Sequence, residues 1–134
     1  VLNKVREDAS RLKQKYGHTP GLGVVIVGAQ EPCQRYVAQK HAAAEALGFR
    51  SFETVLPEHA PADEVRACIR AYNAKEECDG VLLQLPLPKH LDARDLLSSI
   101  APEKDVDGFH PLNAGRLAWR LHTFVPCTPR GVLH

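Results

Sequence analysis

The chain opens on Leu2, Val5, Ala9, Leu12 and Tyr16, apolar positions recurring at three- and four-residue steps. That spacing lays one stripe along a helix, predicted over residues 1–16 and stopped by Gly17 and Pro20. The pattern then changes. Leu22-Gly23-Val24-Val25-Ile26-Val27-Gly28 is almost continuously apolar, β-branched and bounded by glycine, as expected of a strand covered on both faces in a parallel sheet. After a turn over 29–32, residues 34–47 are rich in Ala, Gln, Lys and Glu and end at Gly48, which predicts a second helix.

Phe52, Thr54 and Leu56 alternate with Ser51, Glu53 and Val55, a period of two that closes at Pro57 and marks a second strand. Pro61 in a first helical turn, followed by Val65, Cys68, Ile69 and Tyr72, predicts a third helix to about Asn73. Residues 80–85 form a third strand, and Asp92 is the predicted N-cap of a short helix carrying Leu96, Leu97 and Ile100 before Pro102. Alternating helices and strands joined by right-handed βαβ crossovers predict an α/β domain: three layers, α/β/α, around a mostly parallel sheet. Ligands in such sheets lie beyond the carboxyl ends of the strands, here near Gly28, Pro57 and Gln84. At the far end, Thr128-Pro129 reads as the N-cap and first residue of a helix that has barely begun at His134, so a longer chain is expected to continue it.

Composition narrows the function classes. Of 134 residues, 44% are hydrophobic and 25% charged, enough for one ordinary core without disulfides or metal. A net charge of +1, with no run of Lys or Arg longer than two, offers no electrostatic footprint for nucleic acid or an anionic membrane. The longest apolar stretches fall far short of the ~20 residues that cross a bilayer. Cys33, Cys68, Cys78 and Cys127, spaced by 35, 10 and 49 residues, make no CxxC pair, and reduced thiols in a cytosolic-type compartment are expected. Seven histidines include neither HExxH nor an i, i+4 pair, so no metal site is expected.

Tyr36 and Lys40, four apart on the second predicted helix, share one face near the end of the first strand; the same spacing also describes a solvated surface pair. Gln84 interrupts an apolar run and must find hydrogen-bond partners, in a neighbouring loop or in a ligand. Asp105 and Asp107 sit in a loop where Asp and Gly also serve plain turns, yet a carboxylate there can accept paired N–H donors from a nitrogen-rich ring. There is no GxSxG elbow, and Gly21-Leu22-Gly23 precedes its strand, so a dinucleotide fingerprint is absent.

Taken in order, Tyr36-Val37-Ala38-Gln39-Lys40, Leu83-Gln84-Leu85-Pro86-Leu87-Pro88, Pro102-Glu103-Lys104-Asp105-Val106-Asp107-Gly108-Phe109, Asn113-Ala114-Gly115-Arg116-Leu117 and Pro126-Cys127-Thr128-Pro129-Arg130-Gly131 form a distinctive set. With them the chain resembles the bifunctional methylenetetrahydrofolate dehydrogenase/methenyltetrahydrofolate cyclohydrolase family, from about Pro20 to Gly131. The resemblance implies that residues 1–134 are the folate-site catalytic domain, cut at both ends, and that a Rossmann domain for NADP lies outside this chain. It implies oxidation of 5,10-methylenetetrahydrofolate and hydrolysis of the methenyl product to 10-formyltetrahydrofolate in the full-length protein, a homodimer built through the missing domain, and a cytoplasmic or mitochondrial location. Residue by residue it implies Lys40 as catalytic lysine, Tyr36 as the ring lining the folate pocket, Gln84 as partner of the lysine, Asp107 as the carboxylate holding the pterin, and Leu83 and Leu85 as backbone neighbours of the folate. Of the two acids the resemblance favours Asp107, directly before Gly108, over Asp105 as the match to the family's pterin contact.

Cys33 departs from the family, which usually has Ser there, and a thiol is the weaker hydrogen-bond donor. A lysine beside a cationic substrate must act as the neutral amine, which partial burial favours. A catalytically idle domain that binds folate or a partner protein is the competing expectation; the presence of Tyr36, Lys40, Gln84 and Asp107 together argues against it. A receiver-like module would need an acidic cluster where Gly28-Ala29-Gln30 stands.

Overall fold

The computed structural model describes residues 2–28 and 42–126; Cys33, Tyr36, Lys40, Cys127, the turn at 29–32 and the helix expected from Thr128 lie outside the described residues. Helix α1 (Leu2–Tyr16) is followed by strand β1 (Gly21–Val27). A helical stretch at 42–46 precedes β2 (Arg50–Leu56), and Gly48 closes it at φ +79°, the left-handed conformation that glycine adopts without penalty. Next come α2 (Ala62–Ala74), β3 (Gly80–Leu83), α3 (Ala93–Leu97) and α4 (Pro111–Ala118).

The three strands form a parallel sheet in the order β2-β1-β3, with Val25 opposite Thr54 on one side and Leu83 on the other. Central β1 is apolar almost throughout because both its faces are covered, and Val24 to Val27 are buried. On one face Val25, Val27, Val81 and Leu83 meet Val65, Ile69 and Tyr72 of α2, with Leu91, Leu96 and Ile100 closing the edge. On the other, Val24, Ile26 and Leu82 cluster with Leu22 and Val106. The chain steps one way from β1 to β2 and the opposite way from β2 to β3, so right-handed crossovers place the two connections on opposite faces.

Local chemistry explains most boundaries. Asp92 caps α3 by accepting the N–H groups of Arg94 (2.8 Å) and Asp95 (3.4 Å). Arg66 of α2 bonds both Asp63 and Asp95, tying α2 to α3, and these carboxylates raise its pKa. Lys104 donates to the carbonyls of Asn73 (2.8 Å), Lys75 (3.0 Å) and Tyr72 (3.4 Å), placing a cation on the carbonyls at the end of α2. Burial pushes the thiols of Cys68 and Cys78 up, and Cys78 donates to the Gly80 carbonyl at 3.1 Å; both are free thiols.

Three sequence-level expectations need correction. Pro61 is the N-cap of α2 rather than a first-turn residue, in extended conformation at φ −72° and ψ 155°. Strand β3 ends at Leu83, since prolines follow, although the Gln84 N–H still reaches the Val25 carbonyl at 2.9 Å. Helix α3 stops at Leu97, and Ile100 belongs to the turn beyond it. Helix α4 has no counterpart in the hydrophobic pattern: its buried side chain is Asn113, while Leu112 and Leu117 are exposed.

Candidate functional site

Leu83, Gln84 and Leu85 leave the sheet at the carboxyl end of β3, and Asp107 comes up beside them from the loop between α3 and α4. All four line one cavity of about 880 Å³ on the face of Leu82, with Val106, Phe49, Phe109 and Phe124 adding apolar and aromatic wall. Gln84 donates from Nε2 to the Leu85 carbonyl at 2.7 Å, so part of its polarity is met within the strand end itself. The cavity reaches along the sheet as far as Asp79, whose carboxylate accepts the Gly21 N–H at 2.8 Å and pairs with His18 Nε2 at 2.9 Å.

Two acids of the same loop part company. Asp107 is half-buried at the cavity, whereas Asp105 is 1% exposed and turned into the protein. The Asp105 carboxylate accepts the N–H groups of Phe109 (3.3 Å) and His110 (2.9 Å) and the Asn113 amide (2.9 Å), as a buried charge must find partners. Directly after Asp107, Gly108 stands at φ +69°, where a Cβ would come within 2.8 Å of the Phe124 carbonyl oxygen. Only glycine passes there without moving Phe124, so the Asp-Gly step is a packing requirement as well as a turn.

A second cavity, about 700 Å³, lies at the carboxyl edge between Val27, Gly28, Glu58, His59 and the segment Leu87, Pro88, Lys89, His90. His90 is held there by its contact with the Ala60 carbonyl at 2.9 Å. Among the described residues no group of three or more His, Cys, Asp and Glu is placed to hold a metal ion, and no helix is long and apolar enough to cross a membrane. Sequence reasoning missed the aromatic wall of Phe49, Phe109 and Phe124. Each is isolated in the chain, and nothing local marks it as a neighbour of Gln84.

A family model for the tetrahydrofolate dehydrogenase/cyclohydrolase catalytic domain matches residues 1–107. The chain belongs to that family. It is similar to the bifunctional protein FolD of Neisseria gonorrhoeae, 45% identical over 132 residues, covering 98% of this chain and 46% of that protein. Among solved structures, the FolD methylenetetrahydrofolate dehydrogenase/cyclohydrolase of Campylobacter jejuni superposes with a TM-score of 0.95 at 40% identity, covering 98% of this chain and 47% of the other. The dehydrogenase-cyclohydrolase of Trypanosoma brucei, solved with NADP cofactor and inhibitor, gives 0.94 at 37% identity, covering 98% and 46%. The chain thus spans about half the length of the relatives it matches. The family's α/β fold, with its parallel sheet and flanking helices, is the fold seen here.

Proposed function

We propose that this chain forms the folate-binding catalytic domain of a bifunctional enzyme that oxidises 5,10-methylenetetrahydrofolate with NADP and hydrolyses the resulting methenyl compound to 10-formyltetrahydrofolate. The observation that carries the reading is the meeting of Leu83, Gln84, Leu85 and Asp107 around one aromatic-walled cavity in a chain of this family. The cavity has the dimensions of a small-molecule site, a few polar groups set in apolar wall.

Asp107 accepts the 2-amino and ring N–H donors of the pterin, a two-point contact that a carboxylate suits better than an amide. Tyr36 offers its ring to the folate, and the backbone of Leu83 and Leu85 borders it. In the hydrolytic step Lys40, as the neutral amine, takes a proton from water as its oxygen bonds to the methenyl carbon. It then returns the proton to the ring nitrogen as the C–N bond breaks, and the second water proton is released as the formyl group forms. Gln84, being uncharged, orients that amine in either protonation state.

The described residues do not fit NADP: among them no glycine-rich turn carries a strand into a helix N-terminus, and Gly21 and Gly23 lie within β1 instead of following it. Cofactor binding and the homodimer contact are assigned to other parts of the full-length protein, with no nucleic-acid partner and a cytoplasmic location. The test is Lys40→Gln in the protein encoded by the complete reading frame. Cyclohydrolase turnover should fall by ~10²–10⁴ with folate affinity little changed. Near-parental turnover would overturn the reading.

A further inference from the structure

The segment from Asp105 to His110 belongs to no helix or strand, yet it carries Asp107. Its entry is fixed by β3: Val81 and Asp105 form a parallel bridge, and the Val81 N–H donates to the Lys104 carbonyl at 2.7 Å. Its exit is fixed by Asp105 itself, whose carboxylate holds the Phe109 and His110 N–H groups while its carbonyl accepts from Gly108 at 3.2 Å. Asn113 backs the arrangement from α4, donating to that carboxylate and to the Pro102 carbonyl (2.8 Å) and accepting the Thr123 hydroxyl at 2.9 Å. Asp107 is therefore the middle of a loop wound around one buried carboxylate.

We propose that Asp105 is the positioning residue for Asp107: its buried carboxylate, backed by Asn113, sets the loop that presents the second acid to the folate. The inference rests on the reading that Asp107 holds the pterin. The reason is geometric. A hydrogen bond to a planar ring edge fades steeply with misalignment, so an acid on an irregular loop needs that loop fixed. Asparagine at 105 keeps the shape but replaces an accepting oxygen by a donor, which then faces an N–H donor in a site closed to water. The loop must shift, and Asp107 with it.

A double-mutant cycle in the protein encoded by the complete reading frame tests this, read as 5-formyltetrahydrofolate affinity by calorimetry and KM for 5,10-methylenetetrahydrofolate. Asp107→Ala should weaken affinity by about tenfold or more, the scale of a charged hydrogen bond. Asp105→Asn should weaken it nearly as much, and adding Asp107→Ala to Asp105→Asn should then cost less than about threefold. A merely structural role would lower Tm while leaving the Asp107→Ala cost at full size in the Asp105→Asn background, and that result overturns the proposal. If Asp105→Asn does not fold, Thr123→Val loosens Asn113 without stranding a charge. Partial coupling to Asp107→Ala is then expected, and strict additivity overturns the proposal. An Asp107→Ala variant with parental affinity would sink the folate reading and this proposal together, whereas additivity beside a large Asp107→Ala effect sinks this proposal alone.

Discussion

The two faces of the sheet are built from the same strands and serve different ends. Along β1 the side chains alternate, Val25 and Val27 to one face, Val24 and Ile26 to the other. Towards α2 they enter a cluster in which Val65, Ile69 and Leu96 have no solvent exposure at all, and the residue types are interchangeable hydrophobes fitted by volume. Towards Leu82 the same strands border a cavity whose rim carries two polar side chains, Gln84 and Asp107. One face holds the fold together. The other, packed through Val24, Ile26 and Leu82 and open at the cavity, is where we propose that folate binds.

The sharpest way to break this contrast is a matched pair of truncations. Ile69→Ala should cost ~2–5 kcal/mol of unfolding free energy, because it opens a void among side chains that cannot collapse. Leu82→Ala should cost less than half of that, since Leu82 already lines a cavity, but it should weaken folate binding while Ile69→Ala leaves the affinity of the folded fraction unchanged. Denaturant unfolding with parallel calorimetry checks both. Equal stability losses, or a folate effect confined to Ile69→Ala, would erase the distinction between the faces.

A smaller effect belongs to the packed face alone. Burial raises the pKa of the Cys78 thiol above its ordinary 9.0 and that of the Tyr72 phenol above its ordinary 10.0, with Thr54 opposing the latter through its hydrogen bond. Both are neutral when protonated, so a raised folded pKa means stability that is fully present below the unfolded pKa and is lost as pH rises through the folded one. Unfolding free energy should hold level to about pH 9 and decline above it, and Cys78→Ala should flatten part of the decline. A flat profile for the parent to pH 10.5 would show that neither group titrates differently in the folded state.

The packed face was the legible one. The stripe of Val65, Ile69 and Tyr72 and the continuous apolar run of β1 are local periodicities, and Asp92 is a local cap, so each could be read from neighbours in the chain. Helix α4 was not legible because its buried residue is an asparagine and its leucines face outward; only His110 before Pro111, which caps the helix through its Nδ1 (3.0 Å from the Leu112 nitrogen), marks its start. The separation of Asp105 from Asp107 by burial is likewise tertiary: it depends on Asn113, eight residues on, and on the packing of Phe124 over Gly108. Motif resemblance singled out Gln84 and Asp107, and the fold brings them to one cavity, but no periodicity along the chain links two positions that far apart.

The central claim is that Asp107, on the cavity face, contributes far more to folate binding than to the stability of the fold. Calorimetric titration of 5-formyltetrahydrofolate into the parent and into Asp107→Ala, each with its Tm recorded, tests it directly. The account predicts a loss of affinity worth ~1.5–3 kcal/mol with Tm shifted by no more than a degree or two. Unchanged affinity, or a loss of affinity matched by a collapse in Tm, would contradict it.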